Sequence, residues 1–180
     1  MKGSSSSTRY SAAVRGLHWF GFLLIVVVYA LAELRGFAPR GSAARSGMMA
    51  GHIGLGVLVA VLVLPRLIAR VLSATPPIVP APAALPALFS KLTFLAIYAF
   101  LLVQPLLGVL MIQAGGHDVT LPLLSVNLPT LIGADPELHE MLEDVHVVLG
   151  KVFYAVFALH IGAAIWHHRF IKDNTLQRML

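Results

Sequence analysis

Four apolar segments, each long enough to cross a bilayer, constrain this chain more than any other feature. A membrane span needs about 20 mostly apolar residues, and the stretches at about 12–34, 47–72, 85–113 and 138–170 all supply them. Inside lipid, backbone polar groups must be paired within the protein, so segments of this kind form helices. The expected fold is all-α, an integral membrane bundle of four transmembrane helices. Composition agrees: 58% of residues are hydrophobic and 12% charged, against about 25% charged in soluble domains. The breaks fall at Gly36, Pro39 and Gly41, at the proline-rich run Thr75–Pro82, and between Gly115 and about Pro136, a loop long enough to lie on the membrane surface. Prolines fix φ and remove donors, so the second break is extended. Residues 1–11 read as a disordered tail and residues 12–180 as a single domain. Arg9 and Arg15 precede the first apolar run as in a signal peptide. The run exceeds a typical h-region and no A-x-A-like site follows it, so it reads as a retained helix.

Charge then orients the bundle. Lys and Arg accumulate on the cytoplasmic side. With the N-terminus inside, Lys2, Arg9, Arg15, Arg66, Arg70, Lys91, Arg169, Lys172 and Arg178 fall on or near the inner side, and only Arg35, Arg40 and Arg45 fall in an outer loop. Both termini are therefore expected to be cytoplasmic. The net charge of +5 reports topology rather than a nucleic-acid partner. The chain has no cysteine, which excludes disulfides, iron–sulfur clusters and a thiolate nucleophile.

Eight histidines are the chemical signal, because ionisable groups in spans are costly and usually functional. His146 and His160 lie 14 residues apart on the fourth helix, so both face the same way and sit about 21 Å apart along the axis. That places one near each edge of a hydrocarbon core about 30 Å thick. His52 opens the second helix near the outer face, at the depth of His146. His18 opens the first helix near the inner face, at the depth of His160. The directions of three helices, assigned independently, thus give two depth-matched pairs. His139 and His167 share the same face, but His139 with His160, or His146 with His167, would stand about 31 Å apart, too far for two sites inside the core. His117 reads as a surface residue of the polar loop.

Two histidines per site leave tetrahedral zinc two ligands short, whereas a haem iron has four ring nitrogens and needs only two axial ligands. Gly21, Gly54, Gly56, Gly150 and Gly162 lie within four residues of the four histidines. They either let a broad ring approach the backbone or pack helices together. Arg66, near the depth of His160, either pairs a haem propionate or snorkels to the interface. Pro105 is expected to kink the third helix.

These residues resemble the bacterial cytochrome b561 family, the small four-helix dihaem type that includes membrane-bound superoxide oxidase. The likeness runs from His18-Trp19 to the C-terminus. It is carried by Glu33-Leu34-Arg35-Gly36-Phe37 with Pro39-Arg40, by the Thr75–Pro82 run, and by the tail His167-His168-Arg169-Phe170-Ile171-Lys172-Asp173-Asn174-Thr175-Leu176. The resemblance implies a multi-pass protein of the bacterial inner membrane. It implies two b-type haems on His18, His52, His146 and His160, a ubiquinone site near the cytoplasmic side and, in the superoxide oxidase members, oxidation of superoxide at the outer face. In that setting His167 and Lys91 are candidate quinone-site residues, since a histidine can give a proton to a quinone oxygen near neutral pH. His168, next to His167 in sequence but pointing elsewhere on the helix, is a further candidate for that site. Arg35, Arg40 and Arg45 would steer a superoxide anion. The pattern departs at Ile171, where superoxide oxidase members carry an aromatic residue. Two other readings stay open: an electron-transfer cytochrome between quinol and a protein partner, and a haem-free transporter with a histidine-lined proton or metal path.

Overall fold

The computed structural model describes residues 8–121 and 126–180. Helix α1 (Ala12–Leu34) starts at Ser11, whose side chain accepts from the Val14 N–H. Helix α2 (Ala43–Leu72) starts ahead of the expected Gly47 because Ser42 caps it through the Arg45 N–H, satisfying a donor the first turn cannot pair itself. Helix α3 (Ala84–Ala114) runs through Pro105, and α2 through Pro65. Helix α4 (Pro136–Trp166) opens on the Asp135 cap with Pro136 in its first turn, then continues as one wider turn over His167–Ile171. All four helices are long and apolar enough to cross a membrane, so the chain is a four-helix membrane bundle, as the apolar segments predict.

The buried core is small: Leu24, Val59, Val63, Phe100, Leu101 and Phe153 form one cluster, with Tyr29, Leu55 and Phe157 packed against it. Phe100 and Phe153 stack with centroids 3.8 Å apart. Leu23, Leu64, Val71 and Leu159 face outward, which suits lipid rather than water. Helices α1 and α2 approach closely at Gly51, where a Cβ would lie 3.0 Å from Leu31 Cδ1. A small residue at such a crossing is the usual means of bringing membrane helices together.

The two ends of the bundle differ. At one, the connection from α3 to α4 forms a short antiparallel hairpin, β1 (Thr120–Leu121) with β2 (Val126–Asn127), pairing Thr120 with Asn127. Buried Gln113 pins the following segment: its Nε2 donates to Pro129 O and its Oε1 accepts from the Leu131 N–H. At the other end the start of α1 and the residues just before it meet the C-terminal segment. Tyr10 N–H donates to Arg178 O, Trp19 Nε1 to Met179 O, and the Arg15 guanidinium to Leu180 O. Asn174 accepts from the Val79 N–H and donates to Pro77 O, and Arg178 donates to Pro76 O at 2.5 Å. The C-terminal segment is thereby fastened to the proline run. The expected disorder of residues 1–11 is corrected at Tyr10 and Ser11. The Tyr10 ring lies under the guanidinium groups of Arg70 (5.2 Å) and Arg178 (5.5 Å), and Ser11 Oγ lies 2.8 Å from Ser73 Oγ. Residues 1–7 of that tail lie outside the described residues.

Candidate functional site

At the hairpin end, His52 on α2 and His146 on α4 face one another with ring centroids 6.2 Å apart and planes at 77°. His52 Nδ1 lies 3.0 Å from Val28 O of α1, and His146 Nδ1 lies 3.1 Å from Gln104 O of α3. A carbonyl oxygen only accepts, so both Nδ1 atoms carry the proton and each neutral ring keeps its lone pair on Nε2. This is the tautomer of a metal-ligating histidine, oriented by a carbonyl behind it. The Gln104 side chain adds a second tie, its Nε2 donating to His146 O at 2.8 Å. A Cβ on Gly108 would lie 3.2 Å from His146 Cε1, so the missing side chain lets α3 pass the ring.

At the terminal end, His18 on α1 and His160 on α4 stand with centroids 6.4 Å apart and planes at 62°. Here the outer partner is different. Arg66 Nη2 lies 2.9 Å from His18 Nδ1. A guanidinium only donates, so His18 Nδ1 accepts and the ring proton sits on Nε2. The Arg66 guanidinium also lies over the Tyr98 ring, 5.4 Å from its centroid. His160 is the most exposed of the four rings.

An imidazole nitrogen binds a metal at about 2.0–2.1 Å, so two such bonds plus the two ring radii span about 6 Å. Both pairs stand at that spacing. Each offers two nitrogens, which suits the two axial positions of a haem iron. A bare ion would need more ligands, and no group of three or more His, Cys, Asp or Glu able to hold one occurs among the described residues. The hairpin-end pair fits haem with its hydrogen bonds as they stand. The terminal-end pair fits once Arg66 releases His18 Nδ1.

The remaining sequence-predicted residues divide. Arg35 and Arg45 line a cleft of about 540 Å³ with Met49, Ile53, Asp118 and Thr120, and Arg40 is exposed elsewhere. Arg45 donates to Arg35 O (2.9 Å) and Ala38 O (3.3 Å), so its guanidinium also braces that turn. His167 Nδ1 lies 2.5 Å from Asp173 Oδ2. Burial pushes the Asp173 carboxyl up, but hydrogen bonds from His167 and from the Thr175 backbone N–H outweigh it and hold the group below the ordinary carboxylate range. Lys91 and His168 are exposed and form no side-chain hydrogen bond with His167 among the described residues. His139 bonds to Met111 O and joins neither pair.

The glycines near the histidines differ in what lies beside them. A Cβ at Gly56 or Gly162 would meet open space, one at Gly150 would meet Gln104, and one at Gly21 would meet Arg66. Gly108 on α3, which the sequence reading did not single out, lies against the His146 ring. Sequence reasoning also missed Gln104, Val28 and Asp173. A lone amide in an apolar helix was the available signal for Gln104. Val28 acts through its backbone carbonyl and carries no signal in its side chain.

Comparison with known proteins gives a consistent result. Residues 9–180 match the family model described as prokaryotic cytochrome b561. Cytochrome b561 homolog 1 of Escherichia coli (strain K12) is 33% identical over 172 residues, covering 96% of this chain and 97% of that protein. A probable superoxide oxidase of Yersinia pestis is 32% identical over 173 residues, covering 96% of each.

Proposed function

The chain belongs to the prokaryotic cytochrome b561 family, and we propose that within it the protein is a superoxide oxidase. In this reading superoxide is oxidised to dioxygen at the hairpin end, ubiquinone is reduced to ubiquinol at the terminal end, and two b-type haems join the sites. The observation that carries it is the pair of facing histidines near each end of one membrane bundle, both at the spacing of a single metal between two rings. Family membership supports b-type haem as the group held there. The superoxide assignment follows the similarity to the probable superoxide oxidase of Yersinia pestis.

His52 and His146 would then hold the hairpin-end haem, and His18 and His160 the terminal-end haem. Haem held this way supplies one-electron transfer with both axial positions filled. The chain's residues do the rest. Val28 and Gln104 carbonyls hold the hairpin-end rings. Arg66 would offer its guanidinium to a haem propionate and so release His18. Arg35 and Arg45 give the cleft a positive wall that attracts a small anion, opposed by Asp118 at its rim. His167 donates a proton to a quinone oxygen, with Lys91 and His168 at the same end of the bundle. The basic residues gathered at the terminal end, among them Arg15, Arg70, Arg169 and Arg178, support a cytoplasmic setting for both termini and a periplasmic setting for the hairpin in the bacterial inner membrane.

The cleft itself favours one alternative, since about 540 Å³ is far more than a diatomic anion needs and would admit a side chain of a protein partner. Rapid mixing of the purified oxidised protein with superoxide separates the two. Fast haem reduction is expected, and Arg35→Glu should slow it about tenfold at low salt and less at 0.15 M, where charges are screened beyond about 8 Å. No reduction would leave the quinol-to-partner reading, and a preparation without reduced b-type bands would leave the transporter.

A further inference from the structure

The quinone reading gives His167 a proton to deliver but does not say what sets its ring. We propose that Asp173 is a positioning residue for His167: its carboxylate fixes the imidazole with Nδ1 protonated and leaves the Nε2 lone pair to take a proton from the aqueous phase and pass it to the quinone. This inference rests on the quinone reading above.

The geometry is specific. Helix α4 ends in the wider turn His167–Ile171, and the chain then reverses at Lys172, whose φ of 58° is left-handed. Few non-glycine residues adopt that conformation, and here it carries Asp173 back onto the helix end. The carboxylate is 3% exposed, and both its oxygens are used: Oδ2 on His167 Nδ1 at 2.5 Å, Oδ1 on the Thr175 N–H at 2.8 Å. A buried carboxylate is tolerated only when so partnered. A carboxylate accepts only, so His167 Nδ1 must be the donor. Nε2 has no hydrogen-bond partner among the described residues, and the ring remains partly open, with 27% of the side chain exposed. The scaffold behind Asp173 is fastened in turn, since Asn174 and Arg178 tie the same segment to Pro76, Pro77 and Val79. A donor held within a fraction of an ångström by packed partners is the arrangement a proton-transfer site needs. The depression of the Asp173 carboxyl agrees with its standing as an anion at neutral pH.

The proton balance is simple. Ubiquinone takes two electrons and two protons to become ubiquinol. Nε2 first takes a proton from the aqueous phase at the same end, and one O–H bond then forms at a carbonyl oxygen as that Nε2–H bond breaks, which returns the ring to its Nδ1–H form. The second proton comes from that phase to the other oxygen. The electrons are those released by superoxide in the reading above.

The test uses the haem-loaded protein in lipid nanodiscs, with ¹⁵N-labelled histidine and a water-soluble short-chain ubiquinone. In the native protein the His167 ¹⁵N signals should report Nδ1–H. Asp173→Leu should move the ring toward the Nε2–H tautomer and lower kcat for quinone reduction about a hundredfold, the low end of general-acid contributions, with KM changed less than twofold. Asp173→Asn keeps the shape and an acceptor oxygen but loses the charge, so it should fall between and guards against a variant that misfolds. The double variant Asp173→Leu/His167→Gln should be no slower than His167→Gln alone, because the two act as one unit. An unchanged tautomer, an unchanged kcat, or losses that multiply in the double variant would each overturn the inference. If His167→Gln itself leaves quinone reduction intact, the quinone site assigned above is wrong and this inference falls with it. A strong His167 effect with silent Asp173 variants removes the inference alone.

Discussion

The two histidine pairs look alike in spacing and unlike in support. Both stand with ring centroids a little over 6 Å apart, at 6.2 and 6.4 Å. At the hairpin end, each Nδ1 meets a backbone carbonyl, from Val28 and from Gln104. Those acceptors belong to α1 and α3, so all four helices cooperate to set two rings. At the terminal end, His18 meets the guanidinium of Arg66, a long side chain with several rotatable bonds. A carbonyl dictates one tautomer and a guanidinium the other. The hairpin-end site is therefore set by backbone that cannot turn away without disturbing a helix. The terminal-end site depends on a side chain that has somewhere else to go. Structural preorganisation is concentrated where the small anion would arrive, and adaptability where the larger quinone would.

The largest expected effect comes from removing a ring on either side. His52→Ala should lower haem content from two per chain to one and abolish the hairpin-end component of the reduced spectrum. His18→Ala should do the same for the terminal-end component and leave the other in place. Pyridine-haemochrome counting and redox titration of each variant check this. Loss of both haems from His52→Ala alone would break the comparison, because it would mean that the two sites form as one.

Much of this arrangement was legible in the sequence. Four apolar runs fix four helices, and 14 residues between His146 and His160 fix two depths on one face. The depth argument then selects His52 and His18 from among eight histidines, and the structure sets their rings opposite those of His146 and His160. What was not legible acts through backbone or at long range. Nothing in the side chain of Val28 marks its carbonyl as a partner for His52. The segment after the β1–β2 hairpin is tied by Gln113, a residue at the end of a helix that reaches across to Pro129 and Leu131. Tyr10 is held by Arg70 and Arg178, contacts made by residues far along the chain that leave no local pattern. The place of Arg66 was read as a choice between a propionate and the interface. The structure adds a contact that this choice did not include, Arg66 Nη2 at 2.9 Å from His18 Nδ1.

Arg66 is the sharper test of the difference between the two ends. A fixed positive charge beside a haem favours the reduced form, which carries one positive charge fewer. Arg66→Leu should therefore lower the reduction potential of the terminal-end haem by about 59 mV, a tenfold change in its reduction equilibrium. The hairpin-end haem should hardly move, since it lies farther along the bundle from this charge. Spectroelectrochemical titration resolves the two components. Equal shifts in both would contradict the separate electrostatic settings that the hydrogen bonds describe.

The smallest effect is expected at Gln104, and its smallness is informative. Its side chain donates from Nε2 to His146 O, but its Oε1 is buried with no partner among the described residues. Gln104→Leu removes one satisfied donor and one unsatisfied acceptor together. A membrane hydrogen bond contributes about 0.6 kcal/mol on average, and losing the orphaned acceptor offsets part of that. The bond that sets the His146 tautomer runs to the Gln104 backbone carbonyl, which the substitution keeps. Thermal stability should fall by less than about 3 °C for a chain of this size, and the hairpin-end haem should stay bound with its reduction equilibrium altered less than about twofold. A differential scanning measurement with a parallel redox titration reads both. Loss of the hairpin-end haem in this variant would show that the side-chain amide, not the backbone carbonyl, holds His146, and the contrast with the mobile cation at Arg66 would disappear.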